Sequence, residues 1–137
     1  MGLALLPEFV LGHYDGPDPL VLVVEDNSKE TRPVRDILQT AGYRTQLASD
    51  GADALRMARE MQPDLVLTDV QLVGMDGLTL TRQLKSDPQT APIPVVAVSS
   101  QGLEEERLEA LASGCCAFLT RPFRYRTFLT EVANALQ

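Results

Sequence analysis

A chain of 137 residues, 45% hydrophobic and 23% charged, has room for one domain with a proper core and too little for a second of ordinary size. That balance fits neither a disordered chain nor a membrane protein. The formal net charge of -7 argues against direct binding to nucleic acid, whose phosphates would repel such a surface, and suits a cation or a protein partner better.

Met1 to Val10 is apolar but lacks a basic n-region, is broken by Pro7 and Glu8, and falls short of the roughly 20 apolar residues that span a bilayer. Leu6 stands where a myristoylation signal wants Ser or Thr. Gly12 to Pro19 is dense in Gly, Pro and Asp, which is turn chemistry. Residues 1–19 therefore read as a tail and linker, and 20–137 as one folded domain. His13, the only histidine, falls in the linker and is expected to be exposed and idle. The adjacent Cys115 and Cys116 match no redox or metal spacing, so free thiols in a reducing cytoplasm are expected.

Leu20 to Val24 is a continuous apolar run, as a strand buried on both faces should be, and it ends in Glu25 and Asp26. Val34, Ile37, Leu38 and Ala41 recur at helical spacing, with Gly42 as the stop. Pro33 falls just past the first turn if Ser28 is the cap, so a start near Thr31 or a kink is expected. Tyr43 to Ala48 reads as the second strand. Ser49 or Asp50 can cap a helix that turns Ala54, Leu55, Ala58 and Met61 inward and stops at Pro63. Leu65 to Thr68 is the third strand, followed by Asp69 and a Gly-punctuated loop to Gly77. A helix over Leu78 to Ser86 and a Pro-rich loop lead to the fourth strand, Val95 to Val98, which ends in Ser99 and Ser100. The next helix, Leu103 to Ala112, has Glu104, Glu105 and Glu106 in its first turn, where the helix dipole favours them. The Cys pair packs at the start of strand five, Ala117 to Thr120, which ends in Arg121 and Pro122. The last helix, Arg124 to Leu136, aligns Phe128, Leu129, Val132 and Leu136. Five strands alternating with five helices predict an α/β fold, a doubly wound five-stranded parallel sheet.

Ligands of such sheets bind outside the carboxyl ends of the strands. There the chain gathers Glu25, Asp26, Asp69, Ser99 and Arg121. Crowded carboxylates repel and raise one another's pKa unless a cation neutralises them, and oxygen-only ligands select a hard one such as Mg²⁺. An aspartate can itself be the nucleophile and form an acyl phosphate, with the metal and Arg121 neutralising charge and Ser99 donating a hydrogen bond.

In order along the chain, VLVVEDN, LVLTDVQLVGMDG, VVAVSS and FLTRPF resemble the strand-end motifs of response-regulator receiver domains, over roughly Leu20 to the C-terminus. The resemblance implies the flavodoxin-like receiver fold in its stand-alone, single-domain form. It implies phosphorylation of Asp69 by a histidine kinase or histidine phosphotransfer protein. Mg²⁺ would be held by Asp26 directly, by Glu25 through water, by Asp69 and by the backbone carbonyl of Gln71. It further implies Ser99 as the switch hydroxyl, Phe118 as a rotating aromatic, Pro122 after a cis bond, and Gln71 and Gln101 as residues that tune the lifetime of the phosphoryl group. Output through a protein-protein surface follows, without turnover of any external substrate.

Two departures from the family stand out. Leu72-Val73 replaces the usual Met-Pro, which is expected to loosen that loop without touching a ligand. Arg121 replaces the usual Lys before the proline, and its planar fork is no simple equivalent. That change keeps open a receiver-like interaction module that signals without phosphorylation. A phosphohydrolase of the haloacid-dehalogenase kind would want an Asp where Gln71 stands, and a dinucleotide-binding fold would want G-x-G-x-x-G after the first strand.

Overall fold

A computed structural model of the chain describes residues 18–26 and 28–137, with the backbone alone given for 28–32. The expectations for the tail up to residue 17, for His13 and for the side chain of Ser28 lie outside the described residues. In chain order the elements are β1 (Leu20–Val24), α1 (Ser28–Thr40), β2 (Arg44–Ala48), α2 (Gly51–Met61), β3 (Leu65–Asp69), α3 (Gly77–Ser86), β4 (Val95–Ser99), α4 (Glu104–Ser113), β5 (Ala117–Thr120) and α5 (Tyr125–Ala135).

All neighbouring strands run parallel, in the order β2-β1-β3-β4-β5. The winding reverses between β1 and β3, which puts the crevice of the sheet at their carboxyl ends. The period of two along each strand splits the core into two layers. Leu22, Val24, Val66, Val95 and Ala97 pack with Ala54, Ala58, Leu80, Leu84 and Ala110 from α2, α3 and α4. Val21, Val23, Leu65, Leu67, Val96 and Val98 pack with Leu38, Phe128 and Val132 from α1 and α5. Phe128 is fully buried, and its ring stacks on Phe123 at 5.0 Å between centroids.

Local chemistry sets the element ends. Asp50 caps α2 by accepting from the Asp53 N–H at 2.8 Å, and Asp76 caps α3 by accepting from Thr79 at 2.7 Å. Gly42, with φ of 98°, closes α1 in a Schellman arrangement: its N–H donates to the Gln39 carbonyl and the Tyr43 N–H to that of Leu38. Tyr43 thus finishes the helix turn instead of opening β2.

Three other expectations are corrected. Of the two resolutions expected for Pro33, the late start near Thr31 is not found: α1 begins at Ser28, with Pro33 inside it. Met61 is 41% exposed while Met57 is buried, because the inward stripe of α2 leaves the sheet before its last turn. Of the Cys pair only Cys115 is buried; Cys116 is exposed. Among the described residues no helix is long and apolar enough to cross a membrane.

Candidate functional site

The register Val24↔Thr68 sets the ends of β1 and β3 level, so Glu25 and Asp69 emerge side by side. Main-chain bonds carry the sheet one step further: Glu25 N–H donates to the Ala48 carbonyl at 3.0 Å, and Val70 N–H to that of Val98 at 2.9 Å. On the far side of β4, Arg121 N–H donates to the Ser99 carbonyl at 2.8 Å. The strands therefore deliver Glu25, Asp69, Ser99 and Arg121 from a hydrogen-bonded sheet edge.

Glu25, Asp26 and Asp69 each present a carboxylate oxygen, and these oxygens lie within 4.8 Å of one another. Arg121, whose peptide bond to the exposed Pro122 is cis, reaches back over the sheet edge into this cluster. Its Nη2 donates to Glu25 Oε2 at 2.6 Å, its Nη1 to Asp69 Oδ1 at 3.2 Å and, more loosely, to Ser100 Oγ at 3.4 Å. Its side chain is 17% exposed and that of Glu25 only 4%, so the pair is screened from water and strongly felt. An arginine spans two carboxylates in this way with two diverging terminal nitrogens, a donor geometry unlike that of a single ammonium.

Asp26 is exposed, and its Oδ2 accepts from the backbone N–H of Val73 at 3.0 Å. The loop carrying the Leu72-Val73 departure thus touches one of the three carboxylates, which corrects the expectation that it would not. That loop is held closed by Gly77, whose N–H donates to the Val70 carbonyl at 2.7 Å. A Cβ at Gly77 would lie 2.1 Å from the carbonyl oxygen of Asp69, so only glycine permits this approach.

Ser99 is buried and does not point its hydroxyl at the acidic cluster. Its Oγ accepts from the N–H groups of Gln101 and Gly102, both at 3.1 Å, and donates to Glu106 Oε1 in the first turn of α4. Glu106 is a site neighbour that sequence reasoning missed; the signal was an acid seven residues after the strand-end serine, already explained by the helix dipole. Gln71 and the side chain of Gln101 are exposed beside the two loops. Phe118 is half-buried and packs on the α2–α4 layer of the core.

An all-oxygen, anionic donor set of this kind fits a hard divalent cation. Residues 21–133 match the family described as the response regulator receiver domain. The chain belongs to the response regulator receiver domain family. Among curated receiver relatives it is similar to the polar-differentiation response regulator DivK of Brucella anthropi, 34% identical over 116 residues that cover 85% of this chain and 94% of that one. Among solved receiver structures it resembles the chemotaxis protein CheY4 of Vibrio cholerae, with a TM-score of 0.81, 27% identity and coverage of 86% and 98%. It also resembles the receiver domain of the sensor histidine kinase PA1611 of Pseudomonas aeruginosa, which has a magnesium ion coordinated in its active-site cleft; there the TM-score is 0.77, with 29% identity and coverage of 85% and 95%.

Proposed function

We propose that Asp69 takes a phosphoryl group from a histidine kinase or histidine phosphotransfer protein, and that the phosphorylated domain signals through a protein-protein surface. The observation that carries this reading is the convergence of Glu25, Asp26 and Asp69 with the Arg121 guanidinium at the switch point of the sheet. An Asp69 oxygen attacks the phosphorus, the bond from phosphorus to the donor imidazole nitrogen breaks, and that nitrogen keeps the electron pair. Bound Mg²⁺ would neutralise charge on the transferred group, held by Glu25, Asp26, Asp69 and the Gln71 carbonyl. Arg121 Nη1, already on Asp69, is placed to follow the negative charge onto the phosphoryl oxygens. Ser99 donates to one of those oxygens once its hydroxyl leaves Glu106, and Phe118 follows. Gln71 and Gln101 flank the approach of water and set the lifetime of the acyl phosphate, so the domain catalyses only its own labelling and hydrolysis. The exposed Leu108 and Leu111 of α4 and Tyr125 of α5 suit the output face. Free thiols and the phosphohistidine donor both suit the cytoplasm.

Acetyl phosphate or phosphoramidate with Mg²⁺ should add one phosphoryl group by intact mass, lost in Asp69→Asn and in excess chelator. A label that persists in Asp69→Asn would overturn the assignment, and its absence from the wild type would favour the module that signals by contact alone.

A further inference from the structure

Position 73 contributes its backbone rather than its side chain. The valyl group is 72% exposed, whereas the N–H donates to Asp26 Oδ2 at 3.0 Å across 47 residues of sequence. The bond ties the end of β1 to the loop after β3. That loop is itself pinned: Gly77 N–H donates to the Val70 carbonyl at 2.7 Å, Met75 N–H to the Val73 carbonyl at 3.0 Å, and Met75 packs on the core. A pinned loop presents its amide in one direction, while Asp26 on an exposed strand end would otherwise be free to turn.

We propose that the main-chain amide of Val73 is a positioning group for Asp26, holding its carboxylate toward Glu25 and Asp69 and thereby strengthening the binding of a divalent cation. The proposal rests on the reading that these three carboxylates hold that cation. Groups that hydrogen-bond a ligating carboxylate fix its orientation, and their loss typically weakens metal binding by 10–100-fold. A neutral donor on an exposed acid belongs at the lower end, about tenfold. A proline at this position has no N–H to give, so the contact depends on the residue being anything else.

The test is Mg²⁺ titration without any phosphodonor, followed by amide shifts, on the wild type, Val73→Ala and Val73→Pro. The alanine variant keeps the donor and should match the wild type, and the proline variant should bind about tenfold more weakly. A proline variant with the wild-type dissociation constant overturns the proposal alone. A wild type that binds no Mg²⁺ overturns the cation reading and the proposal with it. Because proline also restricts residue 72 and could disturb folding, a second measurement uses the metal-free protein. There the Val73 amide should exchange slowly, and faster in Asp26→Asn, where the acceptor loses its charge; equal exchange in both proteins overturns the proposal.

Discussion

Asp69 and Ser99 end neighbouring strands, one residue out of step in the β3–β4 register, and each opens a loop into a helix. Their partners differ in kind. The Asp69 carboxylate is held by Arg121, 52 residues away, within a cluster drawn from β1, β3 and β5. The Ser99 hydroxyl is held by Gln101, Gly102 and Glu106, none more than seven residues on. The first arrangement exists only when the whole sheet is assembled, so it is a consequence of the fold. The second is a local turn that competes with any longer-range role for the same hydroxyl. One strand end therefore sits within an acidic cluster bridged by Arg121, and its neighbour is occupied by a local turn.

The largest effect should come from breaking the long-range half. Removing Arg121 takes the guanidinium away from the buried Glu25 and from Asp69, and loss of one partner from a buried pair costs about 3–5 kcal/mol. Because the guanidinium is partly exposed, Arg121→Ala should lose about 3 kcal/mol in urea unfolding, and Mg²⁺ should restore part of it. Arg121→Lys keeps the charge but not the two diverging donors, so its loss should be smaller than that of the alanine variant. If Arg121→Ala unfolds at the wild-type urea concentration, the two ion pairs carry no net stability and the contrast between the loops weakens.

A smaller effect is expected from Gly77, which lets the loop after β3 close. A methyl group 2.1 Å from the Asp69 carbonyl oxygen forces either α3 or the end of β3 to shift. Overpacking of this kind costs about 1–3 kcal/mol, which the better helix propensity of alanine offsets by less than about 1 kcal/mol. Gly77→Ala should therefore lose about 1–2 kcal/mol and slow labelling of Asp69. Labelling at the parent rate would show that the Asp69 backbone does not need this loop in place.

These two halves were not equally legible in the sequence. The buried strands announced themselves as unbroken apolar runs, and the residues that end them could be named because a strand has to stop where charge begins. Gly42 was legible for the same reason and the cap of α2 was narrowed to Ser49 or Asp50, since positive φ and capping restrict the choice of residue. The Val73 contact was invisible because a main-chain donor has no letter of its own; the substitution for proline was seen and its consequence was not. Arg121 was recognisable as a cation, but its bridging of two acids depends on how far β5 lies from β1. Glu106 was hidden by sufficiency: the helix dipole already accounted for three acids in one turn, and nothing in their spacing singled out the one that faces Ser99. Met57 and Met61 show the usual ambiguity of a stripe one turn from a helix end.

The smallest predicted effect concerns that local half, and it decides whether the turn restrains the switch. A serine hydroxyl has one proton and two lone pairs. In this structure the lone pairs face the Gln101 and Gly102 amides and the proton faces Glu106, so Ser99 has nothing left to offer a phosphoryl group on Asp69. To donate there it has to leave Glu106, and that separation favours the unphosphorylated arrangement by the worth of one hydrogen bond to a charged but half-exposed partner, about 1 kcal/mol. Glu106→Ala removes the acceptor, shifts the population toward the arrangement in which Ser99 turns, and should tighten binding of beryllofluoride with Mg²⁺ by about fivefold. Glu106→Gln keeps an acceptor without the charge, so its effect should fall between the two. Glu105→Ala serves as the control, because it removes a charge from the same helix turn while lying exposed. Were Glu106→Ala to titrate as Glu105→Ala does, any change would belong to the helix dipole, and Ser99 would be an ordinary turn cap that gives way to the phosphoryl group without cost.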